Sequence, residues 1–328
     1  MKMKILAVLA FAAAAAGCTS FGPNVENASC DVTGGETAGI SKAVPPVSGT
    51  GGLRRPGPAR VMVIGAHPDD ADIFCGGLAL RLIDRGFKVK FVSMTDGRMG
   101  HHVYSPDETA KVRRKETLEA ARRMKLDGYD IYGYPDCGLF PTDEARKNVA
   151  RKIREYQPDY IITHRTCDYH ADHRATGQLV TDACYLLGVP HWCPEVPAQR
   201  HRPVIFYMTD AFTNPRPIRP DLMFDVDNYI ERLCDGLDAQ GSQIYEWLPW
   251  DSDREKTVAA LGDRSDIKAR NEYINRYTFG RKRADAKRFA EVWKERNPNL
   301  PLPKNLEVYE ISEYGRRPSK AELKFLRE

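Results

Sequence analysis

Two short runs of this 328-residue chain gather imidazoles and carboxylates: His67-Pro68-Asp69-Asp70-Ala71-Asp72, and, about 100 residues later, Cys167-Asp168-Tyr169-His170-Ala171-Asp172-His173. One imidazole and one carboxylate from the first run, with one imidazole from the second, make a three-ligand set. That is the arrangement of a catalytic zinc, which keeps its remaining position for water. Bound zinc brings the pKa of that water near 7 and polarises a carbonyl, and a further carboxylate nearby can take the proton. Each run alone has an ordinary explanation. His-Pro-Asp is a common turn held by an Asx hydrogen bond, and neighbouring histidines are often satisfied loop residues. What distinguishes this chain is where the two runs fall relative to its secondary structure.

Val61 to Ile64 is a short apolar run that ends at Gly65, the pattern of a buried strand. The periodicity then predicts a helix over 73–84, a strand over 89–94, a helix over 107–124, a strand near 129–132 and a helix over 143–156. A strand over 160–163 and a helix over 173–187 follow, with further strands at 204–208 and 222–226. Beyond Asn228 the chain reads as mainly helical, apart from a strand near 308–311. Alternating apolar strands and helices imply a Rossmann-like, doubly wound α/β core: a mostly parallel sheet with helices on both faces, followed by a mainly helical C-terminal part. Sites in such sheets lie beyond the carboxyl ends of the strands. Both His/Asp runs directly follow strands, so the topology brings them to one sheet edge. No Gly-x-Gly-x-x-Gly follows the first strand, so no nucleotide cofactor is implied. The Pro-rich stretch from Pro190 to Pro220 is expected to form a loop over the cleft.

Ala66-His67-Pro68-Asp69-Asp70 after a leading strand, with His170-x-Asp172-His173 downstream, resembles the PIG-L/LmbE-like family of zinc-dependent N-deacetylases, over roughly residues 60–243. The resemblance implies one zinc per chain bound by His67, Asp70 and His173. It implies Asp69 as general base and His170 beside the developing oxyanion, with Asp172 orienting His170. Residue geometry is consistent with these roles. Adjacent Asp69 and Asp70 can diverge from one loop, and His170 and His173 stand one helical turn apart. A protonated His170 would stabilise the oxyanion by charge. Looser family features are Arg113 with Glu116, Asp136 after the third strand, and Ser242-Gln243. They suggest Asp136 and Arg113 as substrate contacts; Arg98, with His101 and His102 in a long loop, could line the cleft and is a further candidate contact. For Arg113 the alternative is an Arg–Glu pair on a helix face, and Ser242-Gln243 reads as structural.

The N-terminus carries a separate signal. Lys2 and Lys4 precede an apolar run from Ile5 to Ala16, too short to span a bilayer comfortably but suited to a signal peptide. Ala15-Ala16-Gly17-Cys18 resembles a bacterial lipobox, departing from it at Ala15, where the pattern prefers Leu. The expected organisation is a lipoprotein signal peptide at 1–17, lipidation at Cys18, a Gly/Pro/Ser-rich tether at 18–58 and a catalytic domain at 59–328. This places the protein at a bacterial cell envelope, held to the membrane by the lipid. A net charge of +4, from 49 Lys and Arg against 45 Asp and Glu, gives no basis for a nucleic-acid surface. The basic stretch Arg281-Lys282-Arg283 with Lys287-Arg288 reads as a solvated helix face. With Cys18 lipidated, seven cysteines remain. That number cannot all pair, and buried free thiols are expected for most, Cys184 with Cys193 being the nearest candidate pair.

The reading expected from all of this is removal of an acetyl group from an N-acetylated amino sugar. Two alternatives stand beside it: an amidase that cleaves a larger acyl group, and a catalytically silent glycan-binding lipoprotein. Asp69 argues against the last, because a binding module has no use for a base beside a metal.

Overall fold

A computed structural model describes residues 57–327. The expected signal peptide, Cys18 and nearly all of the tether lie outside the described residues.

The first half of the chain alternates strand and helix: β1 (Arg60–Gly65), α1 (Asp70–Asp84), β2 (Lys88–Thr95), α2 (Pro106–Met124), β3 (Gly128–Tyr134), α3 (Asp143–Tyr156), β4 (Tyr160–Thr163) and α4 (Ala171–Leu186). After β5 (Val204–Met208) and β6 (Leu222–Asp225) come α5 (Ile230–Asp238), a π-helical segment at Ser242–Trp247 and α6 (Leu248–Asp251). The chain then runs through α7 (Glu255–Ala259), α8 (Ile267–Thr278), α9 (Gly280–Arg288) and α10 (Ala290–Arg296) to β7 (Leu306–Ile311) and α11 (Lys320–Arg327). The sheet order is β3-β2-β1-β4-β5-β7-β6. β1 to β5 are parallel, and β7 runs antiparallel between β5 and β6.

Side chains alternate across a strand, and β1 shows what that does here. Val61 and Val63 enter the core shared with α1 and α5, whereas Met62 and Ile64 enter the core shared with α3 and α4. A strand apolar on both faces must be central, and β1 is flanked by β2 and β4. The chain winds outward from β1 through β2 to β3 and then returns to place β4 on the other side. The carboxyl ends of β1 and β4 therefore diverge at the topological switch point, where ligands bind in open α/β sheets.

The C-terminal part is tied to this sheet by a buried charge pair. Lys282 Nζ meets Glu307 Oε1 at 2.5 Å, and Glu307 also accepts from the backbone N–H groups of Gly77 and Leu78 and from the Tyr309 hydroxyl. Lys282 is thus buried, contrary to the solvated face expected of its basic stretch. Its charge is matched by a carboxylate that reaches it from a strand 25 residues later. Arg288 likewise donates to the Asp210 carbonyl.

The 190–220 stretch does not form one loop over the cleft. β5 runs parallel to β4, so the segment before it lies at the opposite edge of the sheet. There the buried Arg154 donates to the carbonyls of Leu186, Leu187, Val189, Cys193 and Val196. Only the segment after Met208 reaches the site edge, held by a two-pronged bond from Arg165 to Asp210 at 2.6 Å for each prong. All six described cysteines are free, including Cys184 and Cys193, and no described helix is long and apolar enough to cross a membrane.

Candidate metal centre

His67 leaves the end of β1, Asp70 opens α1, and His173 sits in the first turn of α4. His67 Nδ1 lies 3.2 Å from His173 Nε2 and 3.4 Å from Asp70 Oδ2, and His173 Nε2 lies 3.4 Å from Asp70 Oδ1. Ligand atoms at about 2.0–2.1 Å from a tetrahedral zinc are separated from each other by about 3.3 Å. The spacings of His173 Nε2 from His67 Nδ1 and from Asp70 Oδ1 match that value. Asp70 is fixed through Oδ2, which accepts from the N–H groups of Ala66 and His67 at 2.9 and 2.8 Å and faces His164 Nε2 at 3.1 Å. Oδ1 is thereby left turned toward His173.

The far nitrogen of each ring meets a carboxylate, as metal-bound imidazoles generally do. His173 Nδ1 lies 3.1 Å from Asp168 Oδ1, and His67 Nε2 lies 3.1 Å from Asp136 Oδ1 and 3.5 Å from Asp172 Oδ2. The His164 ring stacks on His173 with centroids 4.0 Å apart. Burial alone would lower the two imidazoles. Asp136, Asp172 and Asp70 around His67, and Asp70 and Asp168 around His173, outweigh burial and raise both, His173 to about 9. Burial would raise Asp70, but the His173 and His164 rings hold it well below the usual carboxylate range. A buried cluster of carboxylates around two imidazole nitrogens that face each other calls for a cation at its centre. The residues fit a divalent metal held by His67, Asp70 and His173.

Asp69 occupies the N-cap position of α1, makes no side-chain capping bond there, and is buried. Burial raises its carboxyl, and the Arg113 guanidinium, 3.5 Å away, works against that rise. Arg113 is buried too and does not pair with Glu116. Glu116 instead accepts from the Ser242 backbone N–H and hydroxyl, which makes Ser242 a brace between α2 and the π-helical segment. Gly97 lets the chain pass over this corner. Its φ is +68°, and a Cβ there would stand 3.0 Å from Pro68 Cδ.

Four residues with expected roles are engaged differently. His170 caps α4, its Nδ1 accepting from the Asp172 backbone N–H at 3.2 Å. Burial and the neighbouring His67 and His173 rings lower its pKa, and with Nδ1 accepting, the ring's donor is Nε2. The Asp172 carboxylate does not orient His170. It accepts from Cys137 N and Leu139 N and faces His67. Asp136, expected to read a substrate, has Oδ1 on His67 while Oδ2 accepts from Met99 N at 3.3 Å, so both oxygens are engaged within the protein. Arg98 forks onto Asp96 at 2.7–3.1 Å and lies 3.6 Å from Asp107.

Two residues of the site had no role assigned from sequence. Asp168 was visible in the second cluster, but only the fold shows that it backs the His173 ring while also accepting from the His170 backbone N–H. Tyr169 is 74% exposed, with its ring edge-on to His170 and His173 and 6.4 Å from Phe212. It stands at the mouth of the site.

Residues 62–184 match the PIG-L family model, described as GlcNAc-PI de-N-acetylase. A diacetylchitobiose deacetylase from Thermococcus kodakarensis is 30% identical over 138 residues, 40% of this chain and 52% of the relative. A mycothiol S-conjugate amidase from Streptomyces coelicolor is 27% identical over 184 residues, 48% of this chain and 62% of the relative. The matches thus span about half to three-fifths of these relatives. Among solved structures, an N,N'-diacetylchitobiose deacetylase from Pyrococcus horikoshii superposes with a TM-score of 0.58 at 23% identity, covering 78% of this chain and 84% of that one. A 4-carboxy-2-hydroxymuconate hydratase from Pseudomonas putida superposes with the same TM-score at 15% identity, covering 80% and 98%. The fold is therefore shared with proteins named for different reactions, and the structural likeness establishes architecture alone. Together with the two His/Asp clusters at the switch point, the family match makes residues 62–184 of this chain similar to the PIG-L family.

Proposed function

We propose that the protein is a zinc-dependent hydrolase that removes the acetyl group from an N-acetylated amino sugar. The observation that carries this reading is the pairing of a three-ligand set with a buried carboxylate on the adjacent residue. Asp70 turns toward the two imidazoles, while Asp69 points to Arg113 and stays outside the set. Zinc held by His67, Asp70 and His173 would supply an acidified water and polarise the amide carbonyl. Asp69 takes a proton from the attacking water, whose oxygen bonds to the acetyl carbon. His170, its Nδ1 already accepting from the α4 backbone, donates from Nε2 to the oxyanion that develops there. The C–N bond then breaks, the proton held by Asp69 goes to the departing amine, and acetate and the free amino sugar leave. Arg113 holds Asp69 and presents a buried cation at the same corner. The names of the relatives support an amino-sugar amide as the substrate class. The test is acetate release from a panel of N-acetylhexosamine glycans by zinc-loaded protein, and silence across the panel would overturn the reading.

The relative named as an amidase of a mycothiol conjugate favours a second reading, cleavage of a larger acyl group from an amino sugar. Comparing acetyl with longer acyl amides of one amino sugar separates the two.

The lipobox-like Ala15-Ala16-Gly17-Cys18 supports anchoring of this activity at a bacterial cell envelope. Mass spectrometry of the mature N-terminus tests the anchor. A lipid on Cys18 that disappears in Cys18→Ser is expected, and an unmodified N-terminus beginning after Cys18 would remove it.

A further inference from the structure

A second charged centre lies in a cleft beside β6, the last strand of the sheet. Arg81 from α1, Phe224 from β6, Trp293 and Arg296 from α10 and Arg327 from α11 line it. Its volume is about 210 Å³, below the roughly 300–1,000 Å³ of pockets for drug-sized ligands. It therefore suits one small group rather than a glycan. Arg81 follows Asp70 on α1 by eleven residues, about 16 Å along the helix axis, so the cleft is no part of the metal centre.

Three guanidiniums meet here without a carboxylate between them. Arg296 Nη1 and Arg327 Nη2 both donate to the Asp221 carbonyl, each at 3.3 Å, so the two groups stand within two hydrogen-bond lengths of each other. Arg296 Nη1 also reaches the Pro220 carbonyl. Arg81 Nη2 donates to the Arg327 carbonyl at 2.8 Å, and its guanidinium carbon lies 6.0 Å from the centre of the Phe224 ring. Arg81 Nε is buried and has no hydrogen-bond partner among the described residues. The carboxylates nearby are turned elsewhere. Asp221 Oδ2 accepts from the Ile311 N–H at 2.8 Å and faces Arg219 at 3.4 Å, and Asp225 Oδ1 accepts from the Asp227 N–H at 2.9 Å. Asp225 also lines the cleft, so three guanidiniums stand there against one carboxylate. A guanidinium has five donors, of which each of these uses few, and like charges held so close repel unless an anion bridges them. The floor is preformed: the buried Trp293 donates from Nε1 to the Pro301 carbonyl at 2.9 Å, and its own carbonyl accepts from the Asn297 N–H at 2.8 Å.

We infer that this cleft binds a phosphate group, carried by a phospholipid headgroup or by a soluble phosphate ester, at a site separate from the metal centre and its substrate. The inference does not rest on the chemistry at that centre. The planar fork of arginine meets two phosphate oxygens at once, and a phosphate has oxygens enough to bridge several forks, which a carboxylate has not. The apolar side of the cleft suits the carbon part of the ester. Leu300, 57% exposed, lines it beside Phe224 and Trp293.

The test titrates the zinc-loaded full chain with inorganic phosphate by calorimetry. A second arm compares flotation with vesicles of phosphatidylcholine alone and with phosphatidylglycerol added. Arg296→Gln combined with Arg327→Gln should raise the dissociation constant for phosphate at least about tenfold, because charge-assisted hydrogen bonds are lost. Lys111→Gln combined with Lys115→Gln removes equal charge from the exposed face of α2 and should leave that constant within about twofold. Arg81→Gln should also weaken binding, and it carries the test if the double arginine variant does not fold. Added flotation with phosphatidylglycerol that the arginine variants abolish assigns the phosphate to a lipid headgroup. Phosphate binding without that added flotation assigns it to a soluble ester. Binding of phosphate that the arginine variants leave unchanged would place the anion elsewhere, at the zinc if acetate release is inhibited in step, and would overturn the site. An equal loss in the lysine variant, or no binding of phosphate and no difference between the vesicles, would overturn it too.

Discussion

Asp168 Oδ1 lies 3.1 Å from His173 Nδ1, on the side of the ring away from the nitrogen that faces His67. This contact fixes the ring's tautomer and leaves the Nε2 lone pair for a metal. Loss of such a carboxylate typically weakens metal affinity 10–100-fold. Asp168→Ala should therefore raise the zinc dissociation constant by about that factor, measured by chelator competition. Asp168→Asn should do less harm, because its amide oxygen still accepts. Unchanged affinity in the alanine variant would show that the contact is incidental.

Asp136 stands in the same relation to His67, 3.1 Å from Nε2. Asp136→Ala should lower turnover by a similar factor on a sugar amide and on a simple aryl acetamide, with zinc affinity reduced in parallel. A loss confined to the sugar substrate, with zinc retained, would return Asp136 to sugar recognition.

The Lys282–Glu307 pair joins α9 to β7 and α1, with each side chain 3% exposed or less. Breaking one partner of a buried ion pair costs about 3–5 kcal/mol, because the other charge stays uncompensated. Lys282→Met should lower the thermal midpoint by roughly 10 °C, read by calorimetry. A shift within about 2 °C would mean that water or a rearranged neighbour satisfies Glu307.

Burial would raise Glu322, but hydrogen bonds from Arg316 and Ser319 outweigh it and hold the carboxyl below its usual value. A carboxyl lowered in the folded state contributes stability above its unfolded pKa of about 4.3 and loses it as pH falls through the lower folded value. Glu322→Gln should thus be less stable than the parent at pH 7, and the gap should close as pH falls below about 4. Urea unfolding at pH 7, 5 and 3.5 measures this. A gap independent of pH would assign the loss to packing rather than charge.

Much of the architecture was legible because burial on both faces leaves strong local marks. The runs at Val61–Ile64 and Val89–Met94 are apolar throughout, and Gly65 and Gly86 punctuate them. The helix over 143–156 and the strand over 160–163 are bounded in the structure as their periodicity predicts. The meeting of His67, Asp70 and His173 was legible for a related reason, since they lie in segments that follow strands whose ends the topology brings together. Partners across the site were not. Nothing local to Asp136, Asp168 or Asp172 says which imidazole each will face, and that choice depends on side chains 5 to 105 residues away. Lys282 was misplaced for the same reason. Its neighbours are basic, but its counter-ion arrives from β7. The 190–220 stretch was misread because β5 interrupts it and sends its two parts to opposite edges of the sheet.

The central claim is that one zinc is held by His67, Asp70 and His173 while Asp69 takes the proton, and Asp69→Asn tests it most directly. Its amide preserves shape but cannot take a proton from water. Zinc content and acetate release should be measured on the same preparation, using a β-1,4-linked N-acetylglucosamine oligomer. The expected result is about one zinc per chain in parent and variant alike, with turnover reduced roughly 10²-fold or more in the variant. Near-parental acetate release from a zinc-loaded Asp69→Asn protein would contradict the account.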